Sequence, residues 1–217
     1  MKNKLFVFTG VIILLSLNSR QANAQSDTPR LEVGAQYTQL DLSGIPGQNT
    51  SSGFFSFVGP GSQHGFGGRL VVNLTSILCL ESELNFFPNG EYIRPLEEGE
   101  ALQALFGVKA GKRFKKIGIF GKARPGFMHF SKAPDCPGED FSSCMTRSRT
   151  EFAADIGAVF EYYGTRHLAL RVDLGNTIVR YGDFKVVNVA DNRGRTVPIT
   201  GGITNNFQSS FGISYRF

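Results

Sequence analysis

The chain has 217 residues, with 23 Lys and Arg against 18 Asp and Glu, and it is rich in Gly (26) and Phe (20) but has no Trp. The formal charge of +5 does not point to a nucleic-acid partner, because Lys2, Lys4 and Arg20 fall in an expected leader whose removal leaves 20 basic and 18 acidic residues. Beyond that leader no apolar run reaches the about 20 residues of a membrane-spanning helix.

The leader is legible in its parts. Lys2 and Lys4 precede an apolar run from Leu5 to Leu17, and Ala22-Asn23-Ala24 has the small-x-small form of a cleavage site. Residues 1–24 are therefore expected to be a secretory signal peptide, and residues 25–217 to form one domain. No cysteine follows the site, so a lipid anchor is not indicated.

The rest of the chain alternates with a period of two, which is the pattern of strands. Leu31, Val33, Ala35 and Tyr37 alternate with Glu32, Gly34, Gln36 and Thr38. After a Gly/Ser/Pro-rich loop at 43–63, Phe66, Leu70, Val72 and Leu74 oppose Gly67, Arg69 and Asn73. A turn near Thr75 leads to Leu78, Leu80, Leu84 and Phe86 against Glu81, Glu83 and Asn85, and residues 88–100 form the next loop. The stretch 101–130 is the clearest. Leu102, Ala104, Phe106, Val108 and Ala110 face away from Gln103, Gly107, Lys109, Gly111 and Arg113. Past a basic turn at Lys115-Lys116, Ile117, Ile119, Ala123, Pro125 and Phe127 face away from Lys122 and Arg124, completing a hairpin. A third loop is expected at 131–148. Phe152 to Tyr162 then alternates with Glu151, Asp155, Gly157 and Glu161, and Leu168 to Leu174 with Arg171 and Asp173. The pattern is ambiguous beyond Asn176, residues 182–205 read as a fourth loop, and Phe207, Phe211, Ile213, Tyr215 and Phe217 close the chain against Asn206, Gln208, Gly212, Ser214 and Arg216.

The apolar face of the stretch 101–130 is long enough to cross a bilayer, which takes a strand of about 9–11 residues. Eight such strands, joined alternately by short and long connections, imply an all-β, antiparallel, up-and-down transmembrane barrel. Hydrocarbon leaves no partner for a free backbone N–H or C=O, so an open sheet edge is excluded. The short turns are expected to face the periplasm and the long loops the cell exterior. The chain thus resembles the small eight-stranded bacterial outer-membrane barrels of the OmpA/OmpX type over nearly its whole mature length. Its most specific element is the end, Phe-Gly-Ile-Ser-Tyr-Arg-Phe. The resemblance implies that Ile213, Tyr215 and Phe217 form the C-terminal signal read by the barrel assembly machinery, although an interfacial aromatic girdle accounts for the same residues. It also implies a monomer in the outer membrane, in contact with its lipid.

The inward positions carry seven acids (Glu32, Glu81, Glu83, Glu151, Asp155, Glu161, Asp173) and seven bases (Arg69, Lys109, Arg113, Lys122, Arg124, Arg171, Arg216). Opposite charges are expected to meet across neighbouring strands, and an eight-stranded barrel is just wide enough for side chains to fill. A packed, salt-bridged lumen is therefore favoured over an ion pathway or a catalytic carboxylate pair. A lipid-modifying barrel enzyme is disfavoured because His167 falls at a short turn, His129 on the outer face and His64 at a loop base, none beside an inward nucleophile. A soluble lipocalin-like barrel is disfavoured because its interior would be apolar. Cys136 and Cys144 bracket a polar, turn-rich segment and are the expected disulfide, with Cys79 as a buried thiol. No metal-ligand spacing is present, and no cofactor is implied. The expected role is structural or one of surface interaction through the long loops, whose ligand is unknown.

Overall fold

The computed structural model describes residues 29–43, 60–90, 99–135, 145–187 and 196–217. All regular structure among them is β: β1 (Leu31–Ser43), β2 (Pro60–Asn73), β3 (Leu78–Gly90), β4 (Gly99–Arg113), β5 (Ile117–Asp135), β6 (Met145–Tyr163), β7 (Leu168–Arg180), β8 (Phe184–Val187), β9 (Thr196–Ile199) and β10 (Ile203–Arg216). Eight of these close into an antiparallel barrel in the order β1-β10-β7-β6-β5-β4-β3-β2. Closure is made by β1 against β10, in register from Glu32 with Arg216 to Asp41 with Phe207. The up-and-down connectivity puts both ends of the barrel chain beside the three short turns. Two of those turns are fixed by a threonine hydroxyl, Thr75 accepting from the Leu78 amide at 2.9 Å and Thr165 from the Leu168 amide at 3.0 Å.

The outward face is predominantly apolar along the middle of the strands, with Phe66, Phe106 and Phe211 each more than half exposed. A continuous belt of this kind is far larger than the few hundred Å² that a soluble monomer leaves uncovered. It needs lipid. The inward face carries the charges, the reverse of a lipocalin-like barrel.

The strands run further than the apolar alternation indicates. β2 begins at Pro60, β5 continues to Asp135, β6 begins at Met145, β7 reaches Arg180 and β10 begins at Ile203. The region read as a fourth loop also holds the β8–β9 hairpin, which pairs with itself and not with the barrel. Past the hydrocarbon the outer face is free to be polar (Ser62, His64, His129, Thr150), so the signal fades while backbone pairing continues. His64 accordingly sits within β2, outward, rather than at a loop base. The extension of β5 is not regular, and the β5–β6 register shifts between Phe130 and Ala133.

Candidate functional site

The lumen is built in layers that follow directly from strand parity. Nearest the short turns, Glu32 Oε1 lies 3.5 Å from Arg113 Nη2 and 3.6 Å from Arg216 Nε, and accepts a hydrogen bond from Asn73 Nδ2 at 2.8 Å. Arg113 also donates to Asn73 Oδ1 at 2.6 Å and lies 3.4 Å from the buried Cys79 thiol. One turn of pleat further in, Lys109 pairs with Glu161, which accepts a second bond from the Tyr163 hydroxyl at 2.9 Å. The Lys109 ammonium also sits 4.6 Å above the Phe120 ring.

The centre is held by two arginines. Arg171 grips Glu81 with both terminal nitrogens (2.6 and 2.7 Å) and Asp173 through Nε at 2.6 Å. Arg124 pairs with Glu81, with Glu83 at 2.5 Å, and with Asp155 through Nε at 3.0 Å. Lys122 bridges Asp155 at 2.8 Å and Asp173 at 3.2 Å, and Arg69 reaches Asp173 at 3.0 Å. These side chains are at most 2% exposed. Their closeness depends on glycine: a Cβ on Gly107 of β4 would fall 2.6 Å from the Arg124 Cα. Charge-assisted, two-pronged bonds of this sort are the strong ones.

Above the charges lies a neutral ring. Gln36 donates to Asn85 (2.7 Å), Asn85 to Gln103 (2.8 Å) and Gln103 to Gln208 (3.0 Å), while the Thr177 hydroxyl donates to Gln208 Oε1 at 2.5 Å. The ring is tied to the charges below by Asn85 Nδ2 donating to Glu83 at 2.8 Å and Arg69 to Gln36 at 2.7 Å. Higher still, Leu40, Leu42, Phe87, Leu105, Met128, Phe130, Val179 and Tyr181 form an apolar cluster inside the barrel. The inward-charge reading misses this layer altogether. It also misses Arg149, which pairs with Glu151 and donates to the Gly182 carbonyl at 2.6 Å. The parity of Glu151 carries through to Arg149 and was the available signal. Glu151 therefore belongs to the long-loop rim and not to the central network.

The three histidines lie outside the lumen. His167 Nδ1 is 3.0 Å from the Arg216 carbonyl, with its ring stacked on Tyr215; His129 pairs with Thr150 at 2.8 Å and His64 with the Tyr37 hydroxyl at 2.6 Å. Tyr215 also meets Phe217 edge-on at 4.9 Å, and Ile213 continues that outward row. Cys136, Cys144 and the expected signal peptide fall outside the described residues.

A family model for the outer membrane protein beta-barrel domain matches residues 10–217. The chain belongs to that family. This outer-membrane barrel therefore has lipid against its apolar belt, with the short turns on the periplasmic side and the long loops outside the cell. Among solved structures, Neisserial surface protein A (NspA) is 13% identical over 90% of this chain and all of its own, with a TM-score of 0.52, a likeness of fold. Ail, the attachment invasion locus protein of Yersinia pestis, is 12% identical over 88% of this chain and 99% of its own, with a TM-score of 0.48. No curated protein sequence matches the chain. The barrel is expected to run at a different mobility on an unboiled detergent gel than after boiling; identical mobility would mean that no such closed barrel survives in detergent.

Proposed function

We propose that this outer-membrane barrel is a non-conducting, non-enzymatic scaffold that carries its long extracellular loops for surface interaction. The observation that supports this reading is the filling of the lumen: a charge-paired centre, an amide ring and an apolar layer succeed one another along the axis. A selective pore displays an excess of one sign of charge along an open path. Here the central acids Glu81, Glu83, Asp155, Glu161 and Asp173 are matched by Arg69, Lys109, Lys122, Arg124 and Arg171. The apolar layer adds a barrier that no hydrated ion enters cheaply.

Purified protein in a planar bilayer is expected to show no steady conductance. Reproducible ion-selective steps that change on replacing Arg124 or Glu83 would overturn the closed-lumen reading. The loop role is tested separately, by comparing surface or cell binding of the full chain with variants in which single long loops are shortened. Equal binding by every shortened variant would sink it.

A further inference from the structure

The periplasmic mouth of the barrel opens into a cavity of about 740 Å³, between the turns that follow β4 and β6 and the end of β10. That volume is within the range of sites for small organic ligands, roughly 300–1,000 Å³. Five cationic side chains line it: Arg113, Lys115, Lys116, Arg166 and Arg216. Among the described residues the lining includes no Asp or Glu side chain. Tyr163, Phe114 and His167 add ring faces to the same wall.

The floor is short of negative charge. Arg113 and Arg216 are 10% and 8% exposed, and both approach the same carboxylate, Glu32. The Nε of each has no hydrogen-bond partner although it is buried. Buried donors are ordinarily paired. An anionic group entering from the periplasm would meet these guanidiniums at the floor and the lysines at the rim. Isolated turn lysines are usually just solvated, but here the turn cations converge on a cavity whose floor is itself under-neutralised.

The position of the cavity selects the partner. It opens along the barrel axis, away from the bilayer. Phospholipid phosphates surround the outer wall, and Lys112 points to that side, 5.5 Å from the Phe114 ring. We propose that the mouth binds short acidic peptides of the kind that hang from the cell-wall glycan. Their carboxylates would be held by Lys115, Lys116 and Arg166 at the rim and by Arg113 and Arg216 below. The barrel would then contact the cell wall from its periplasmic face, independently of what its loops do.

The test uses the full mature chain folded in nanodiscs of zwitterionic lipid. It is titrated calorimetrically with a soluble cell-wall disaccharide-peptide that carries free carboxylates. Binding is expected to weaken as salt rises. The triple variant Lys115→Ala, Lys116→Ala, Arg166→Ala should lose roughly tenfold or more in affinity, while Lys112→Ala binds as wild type. These side chains sit on exposed turns, and an unchanged heat-dependent gel shift verifies that each variant is folded. Blocking the peptide carboxylates as amides should abolish binding. No binding at low salt, equal binding by the triple variant, or equal binding of the amidated peptide would each overturn the proposal. So would displacement of the peptide by soluble short-chain phosphatidylglycerol at equal or lower concentration, which would assign the mouth to a lipid headgroup.

Discussion

Replacing Arg124 with alanine is expected to destabilise the folded barrel by about 3–5 kcal/mol, the range for removing one partner of a buried ion pair. The size follows from what is left behind. Glu81 keeps Arg171 at 2.6 Å and Asp155 keeps Lys122 at 2.8 Å, but Glu83 keeps as its nearest cation Arg69 at 3.9 Å, beside the neutral Asn85 amide at 2.8 Å. Glu83 is therefore the stranded charge, and its side chain is fully buried. Adding Glu83→Gln to Arg124→Ala should restore part of the loss, since an amide needs no counter-charge. By contrast, Arg149→Ala at the rim, where the side chain is 25% exposed and Glu151 keeps a bond from the Gly182 amide at 3.3 Å, should cost clearly less than Arg124→Ala. Urea titration of the barrel folded in lipid vesicles measures all three. A loss below about 1 kcal/mol for Arg124→Ala would mean that water reaches the centre and screens the network.

The outward face was legible because lipid imposes one rule on it. From Leu102 to Ala110, and again from Phe152 to Tyr162, every second residue is apolar or small, and these positions face outward. Charges such as Lys109, Lys122 and Arg124 stand out against that background. Their partners were only half legible. Arg69 with Glu83, Arg124 with Asp155, Glu161 with Arg171 and Glu32 with Arg216 are cross-strand neighbours in register, as parity suggests. Arg171 with Glu81, Arg69 with Asp173 and Lys109 with Glu161 reach through the lumen between strands that are not paired in the sheet. Such contacts depend on barrel closure and side-chain length, which local sequence does not encode. The apolar upper layer was hidden for another reason. Leu105 follows the outward Ala104 and precedes the outward Phe106, so its inward direction is masked by apolar neighbours. The strand ends were hidden because the alternation stops at the edge of the lipid while the hydrogen-bond ladder does not.

Deleting Phe217 is expected to cut the amount of barrel that reaches the outer membrane severely, while leaving an already folded barrel close to its original stability. The folded-state loss can be bounded. The Phe217 amide donates to the Leu31 carbonyl at 2.9 Å, and a single hydrogen bond contributes about 1 kcal/mol net. The ring is 63% exposed and meets Tyr215 at 4.9 Å, a pair worth about 0.5–1.5 kcal/mol. Together these give a loss of about 2 kcal/mol, a modest cost set against a network whose single arginine is worth more. The β1–β10 ladder from Glu32 with Arg216 to Asp41 with Phe207 is left in place, so the seam stays closed, while Tyr215 stacked on His167 at 5.6 Å and the Arg216 amide on the His167 carbonyl at 2.8 Å hold the other side of β10. A large fall in membrane level with this small loss in vitro therefore separates recognition during assembly from stability afterwards. The two measurements are the folded fraction in outer-membrane preparations and the urea midpoint of protein refolded from inclusion bodies. Unchanged membrane levels would confine Ile213, Tyr215 and Phe217 to the interfacial girdle. A fall in the urea midpoint as large as that of Arg124→Ala would instead make the last residue a keystone of closure, with no separate signal needed.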